Sequence, residues 1–144
     1  MSGNYIERLR IAIDIENQTQ EDRINPTISL GLNNELETHY CVDKKFGTYL
    51  FDCTVLTAGV QTVNLHINEL ASDSWRIGKL SIRDLRIHGL SVGLKLYQCV
   101  YYPVDHPEGF KQMSNVLCLG CRGTWEFSFT APVHEHKEWR IGLV

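Results

Sequence analysis

A chain of 144 residues with 43% apolar and 22% charged side chains has the size and composition of one globular domain, taken as residues 1–144, and excludes a disordered chain. Its formal net charge of −3 argues against a nucleic-acid partner, and the basic residues Arg76, Lys79, Arg83 and Arg86 read as the solvated face of a strand. No run approaches the roughly 18 apolar residues that cross a bilayer, so no membrane partner is expected.

Alternation of period two dominates the chain. Leu9, Ile11, Ile13 and Ile15 alternate with Arg10, Ala12, Asp14 and Glu16, which predicts a strand with a core side and a wet side. After Asn25-Pro26, residues Ile28, Leu30 and Leu32 repeat the pattern up to a turn at Asn33-Asn34. Tyr49, Phe51, Cys53 and Val55 form a further strand. Val63, Leu65 and Ile67 follow at once, with Gly59 as the expected pivot of a hairpin. Leu80 and Ile82 share one parity and Leu85 and Ile87 the other, so a bulge near Arg83-Asp84 is needed to turn both pairs to the core. Gly89 closes that strand, Leu94, Leu96 and Cys99 suggest another, and Trp125, Phe127 and Phe129 make an aromatic strand stopped by Pro132. Trp139 to Val144 adds a short turn or a docked tail. Seven to nine short strands without helical periodicity between them predict an all-β, antiparallel β-sandwich of jelly-roll type. The weakly periodic stretch 103–123 is expected to be an interaction loop, followed by a C-terminal tail over 132–144.

The chemistry-bearing residues are sparse. Met1 to Arg10 lacks the apolar core of a secretory leader, so synthesis in the cytoplasm of the producing cell is expected. The five cysteines, Cys41, Cys53, Cys99, Cys118 and Cys121, then read as reduced thiols, several of them buried. Cys118 and Cys121 have the spacing of half a zinc site that His134 and His136 would complete, but a second close pair is missing and two core thiols in a loop explain them better. Asp105-His106-Pro107 reads as turn chemistry rather than acid–base work. No phosphate loop, nucleophile elbow or metalloprotease helix is present, and no enzymatic activity is expected. The candidate contact residues are Trp75, Tyr97, Tyr101, Tyr102, His106 and Phe110, either as anchors for a sugar ring or a protein partner or as caps on the sandwich ends.

Two resemblances follow from the order of these pieces. Ala58 to Asn68 and then Leu80 to Gly89 resemble the central hairpin of calcium-dependent, xylan-binding carbohydrate modules, which are jelly-roll sandwiches. Tyr101 to Pro107, and the Leu-Gly-x-x-Gly-x-Trp run Leu119 to Trp125 leading into Phe127 and Phe129, are similar to small virion proteins of tailed phages. The second resemblance implies a non-enzymatic decoration, tail or baseplate component located on the virion. Its partners would be other virion proteins, in a homo-oligomer or symmetric array. The first implies the alternative, a module attaching to a host surface glycan. It also implies calcium, for which Asn68, Glu69, Asp73 and Asp84 are the oxygen donors in the corresponding region; without it no cofactor is expected. The charged Glu135-His136-Lys137-Glu138 departs from the aromatic-rich tail of the phage proteins.

Overall fold

A computed structural model describes residues 6–18, 25–69, 80–104, 106, 108–131 and 133. Among them are β1 (Glu7–Asn17), β2 (Thr27–Leu32), β3 (Glu35–Cys41), β4 (Phe46–Val55), β5 (Gly59–Glu69), β6 (Leu80–Ile87), β7 (Leu90–Ser91), β8 (Val100–Pro103), β9 (Met113–Ser114), β10 (Cys118–Leu119) and β11 (Gly123–Ala131). A 3-10 helix, Gly93–Gln98, joins β7 to β8. Every pairing is antiparallel. Sheet A runs β10-β6-β1-β4 with β7 beside β6, and sheet B runs β3-β2-β5-β11-β8-β9. The chain is the all-β sandwich its alternation predicts. β7, β9 and β10 are two-residue bridges, too short to leave a periodic trace.

The apolar parity of each strand supplies the core. Leu9, Ile11, Ile13 and Ile15 of β1 join Ile28 and Leu30 of β2, Val63 and Leu65 of β5, and Trp125, Phe127 and Phe129 of β11 in one buried cluster. Burying each of these side chains stabilises the fold by about 1.5–3 kcal/mol before entropy is counted. The bulge sits where the parity switch demands it. Asp14 pairs with Asp84 but Ile15 pairs with Ile82, so Arg83 is the extra residue and all four apolar residues of β6 face inward. Asn33 and Asn34 both take left-handed φ values, 53° and 67°, the geometry that closes a two-residue hairpin between β2 and β3.

Three connections differ from expectation. Gly59 does turn the chain, at φ 116°, but β4 lies in sheet A and β5 in sheet B, so the chain crosses between sheets and makes no hairpin there. β5 and β6 are likewise split between the sheets, and the expected central hairpin is not formed. Alternation and a glycine mark where a strand ends, not which sheet the next one joins. Leu94 and Leu96 lie in the 3-10 helix rather than a strand, with Leu96 its one buried residue.

The long stretch after β8 is half structural. Its bridge β9 pairs with β8 in sheet B, and its bridge β10 pairs with β6 in sheet A. The segment therefore straps one open side of the sandwich before returning to β11. The Val116 carbonyl accepts hydrogen bonds from Trp125 Nε1 at 3.2 Å and Cys99 Sγ at 3.3 Å, and Leu119 and Cys121 are buried beneath. Only its first part, before β9, is left to act as a contact loop.

Candidate functional site

The two outer faces differ in chemistry. On sheet A three arginines each meet a carboxylate: Arg10 pairs with Asp52 at 2.9 Å, Arg86 with Asp14 at 2.7 Å, and Arg83 with Glu16. The hydrogen bond from Arg10 holds the Asp52 carboxyl below its ordinary value, and that from Arg83 does the same for Glu16. These six side chains are already matched to one another.

Sheet B presents an almost uncharged ladder. The register aligns His39 of β3, Ser29 of β2, His66 of β5, Thr124 of β11 and Tyr102 of β8 in one cross-strand row. Opposed residues of antiparallel strands share a face, and their neighbours Ile28, Leu30, Leu65, Trp125 and Tyr101 point into the core, so this row points out. Four strand spacings make it about 19 Å long. The next row holds Gly31, Asn64, Glu126 and Val100.

Hydrogen bonds tie the ladder together. Asn68 Nδ2 donates to Ser29 Oγ at 2.7 Å, and Ser29 Oγ meets His39 Nδ1 at 2.7 Å. The serine hydroxyl, one donor and two acceptor sites, thus bridges the Asn68 amide and the His39 ring. Thr124 Oγ1 meets His66 Nε2 at 3.1 Å. Asn64 Nδ2 donates to Glu126 Oε2 at 3.1 Å, while Asn64 Oδ1 accepts the Asn34 backbone N–H at 2.6 Å. Ser29 and Asn64 keep only 2% and 0% of their surface, whereas Tyr102 at the end of the row keeps 38%. The middle of the ladder is thus fixed and its end offers an open aromatic ring. Fixed amides, hydroxyls and imidazoles flanked by such a ring suit a neutral, hydroxyl-rich ligand.

The sequence-derived contact residues are scattered. Tyr102 lies on this face. His106 packs edge-on against exposed Phe110, with ring centroids 4.9 Å apart, in the loop beyond β8, and Tyr97 is exposed on the 3-10 helix. Tyr101 is a correction: it is 1% exposed, faces the core and gives its hydroxyl proton to the Cys121 carbonyl, so it is not a surface contact. Trp75 lies outside the described residues. The polar ladder itself was missed because single polar residues on a strand's wet side carry no signal until the strand order sets them side by side.

The implied calcium donors do not assemble among the described residues. Asn68 is on sheet B and uses its amide on Ser29, whereas Asp84 is on sheet A, where its Oδ1 accepts from Leu85 N at 2.9 Å and Ser91 Oγ at 2.7 Å. Asp73 and the Glu69 side chain lie outside the described residues, and no group of three or more His, Cys, Asp and Glu converges among those described. A hard cation wants six or more oxygens, so no step here is assigned to calcium. Cys118 is exposed and Cys121 buried, the opposite of a shared metal centre, and His134 and His136 lie outside the described residues.

No family model matches the chain, and no curated protein matches it. Among solved structures it is similar to the selenomethionine form of vCBM60, described as a link by circular permutation between two families of calcium-dependent carbohydrate-binding modules. The TM-score is 0.57 at 12% identity, covering 83% of this chain and 89% of that one. The chain has the fold of that module. It is also similar to vCBM60 in complex with galactobiose, with a TM-score of 0.53 at 14% identity over 82% of this chain and 96% of that one. Identities this low carry the fold and not the residues of a site.

Proposed function

We propose that the protein is a non-catalytic carbohydrate-binding module that takes a neutral glycan on the outer face of sheet B. The observation that carries this is the prearranged, almost uncharged row from His39 to Tyr102, on the sheet opposite one where three arginines are held by carboxylates. Hydroxyl groups of the sugar exchange hydrogen bonds with the histidines, Thr124 and Glu126, and a sugar ring lies on Tyr102. The similar fold of a module solved with galactobiose supports the choice of ligand class. Glycan binding is preferred to the decoration, tail or baseplate role because the similar folds are those of carbohydrate-binding modules.

The test is calorimetric titration of the full chain with galactobiose and xylo-oligosaccharides, with calcium and then with EDTA. Binding that Tyr102→Ala weakens roughly three- to tenfold, the loss of one aromatic contact, supports the proposal. Absence of binding to neutral glycans under both conditions, or binding indifferent to both Tyr102→Ala and Glu126→Gln, removes this face as the site.

A further inference from the structure

The polar row on sheet B repeats. His39 Nδ1 lies 2.7 Å from Ser29 Oγ on the neighbouring strand, and His66 Nε2 lies 3.1 Å from Thr124 Oγ1 on its own neighbour, before the row ends at Tyr102. In strand order the series is ring, hydroxyl, ring, hydroxyl, ring, and each histidine meets the hydroxyl one strand further toward Tyr102. The rings stand on β3, β5 and β8, every second strand, so successive ones are rooted about 9.6 Å apart.

The other rows of this face lack that pattern. The next holds Gly31, Asn64, Glu126 and Val100, and the one after pairs Thr62 with Ser128, whose hydroxyls meet at 3.0 Å. Among the described residues of these strands, the aromatic rings that face outward all belong to the row from His39 to Tyr102. Both of its ends are open. His39 is exposed on the edge strand β3, and Tyr102 is exposed on β8, where only the two-residue β9 lies beyond. A site that reads the end of a chain encloses the last ring, which exposed groups at both ends do not.

We infer that this face takes an internal stretch of an extended, β-linked glycan lying across the strands, an inference that rests on the glycan-binding function proposed for sheet B. In an extended β-1,4-linked chain each sugar is flipped relative to the one before, so the same ring face returns after two sugars. Two strand spacings match that repeat, and the whole row accommodates roughly four sugars. His39, His66 and Tyr102 then meet equivalent parts of the chain, while Thr124 offers its hydroxyl to the sugar between two of them. A coiled, α-linked chain turns its rings off this line and cannot follow the three in succession.

The test is calorimetric titration of the full chain with β-1,4-linked gluco-, manno- and xylo-oligosaccharides of two, four and six sugars, and with α-1,4-linked malto-oligosaccharides of the same lengths. In at least one β-linked series, affinity should rise roughly tenfold from two sugars to four and stay level to six, with the malto-series weaker throughout. His39→Ala and Tyr102→Ala, at opposite ends of the row, should each weaken the tetrasaccharide about three- to tenfold. No disaccharide should be weakened by both, a dependence on length that a merely structural role for either residue would not produce. Affinity independent of length, equal binding of the malto-series, or a disaccharide weakened by both variants overturns the inference and leaves the glycan-binding function standing. Binding confined to galactobiose does the same. Failure of every neutral glycan removes both.

Discussion

Truncating Asn64 in the variant Asn64→Ala removes two hydrogen bonds from a side chain that is 0% exposed although it stands on an outer face. One is the 2.6 Å bond from Asn34 N–H, whose donor is near solvent and regains water, so its loss costs about 1 kcal/mol. The other is the 3.1 Å bond to Glu126, a half-buried carboxylate, for which about 1.5–2 kcal/mol is reasonable. The sum, about 2.5–3 kcal/mol, corresponds to a fall in melting temperature of roughly 6–10 °C for a domain of this size. Thermal melts followed by circular dichroism, with urea titrations to confirm an unchanged m-value, measure it. A melting temperature within about 1 °C of the parent would refute the premise that this face is held in one arrangement before ligand arrives.

Other consequences are as direct. Glu16 and Asp52 are held below their ordinary values of 4.5 and 3.8 by Arg83 and Arg10, so their contributions are complete above those values and are lost as pH falls through the lower folded ones. Urea midpoints should therefore decline in acid, and Glu16→Gln should flatten part of that decline, most visibly at low salt; an identical acid slope would contradict it. Cys53, pushed up to about 11 first by burial and then by Glu37, Asp52 and Glu7, should have roughly one thiolate in a thousand at pH 8. Iodoacetamide followed by peptide mapping should accordingly label exposed Cys41 and Cys118 first, and equal labelling of Cys53 would count against its placement. Deleting Arg83, the bulge residue, should leave a folded protein melting within a few degrees of the parent, since Leu85 and Ile87 fall back into phase with Ile82. Deleting Ala12 instead turns Ile13 and Ile15 outward and should abolish folding; equal damage from both deletions would show that the register argument fails.

The sandwich was legible because one face of each long strand is buried. Leu9 to Ile15, Val63 to Ile67 and Trp125 to Phe129 announce period two, and the parity slip between Ile82 and Leu85 even located the bulge. Where both faces are half wet the signal fades, as in β3, whose residues alternate between exposed and half-buried and which no apolar series marks. Strand order was not legible at all. Gly59 turns the chain equally well within a sheet or between sheets, and only long-range pairing decides which. The candidate site shares that fate. His39, Ser29, His66, Thr124 and Tyr102 are spread from position 29 to position 124, and no local pattern predicts that they become neighbours. Tyr101 and Tyr102 illustrate the same limit at one residue's distance, since adjacent tyrosines on a strand must take opposite faces and the pairing with Trp125 decides which goes in.

That a polar row across five strands should serve binding rather than stability alone follows from how its bonds are distributed. A ladder built only to hold strands together would satisfy its members fully and equally along its length. Here the inner members are closed: Ser29 and Asn64 are buried and each is engaged twice. Toward one end stands exposed Tyr102 and toward the other exposed His39, whose Nδ1 is held by Ser29 Oγ. Inner bonds fix the positions of outer groups that still have capacity, so the ordering entropy of those groups is lost on folding and not again when a sugar binds. Sheet A has the reverse arrangement, with Arg10, Arg86 and Arg83 each directed onto a carboxylate of the same face. A ligand arriving there would have to compete with ion pairs, whereas on sheet B it meets donors and acceptors that folding has oriented and left open.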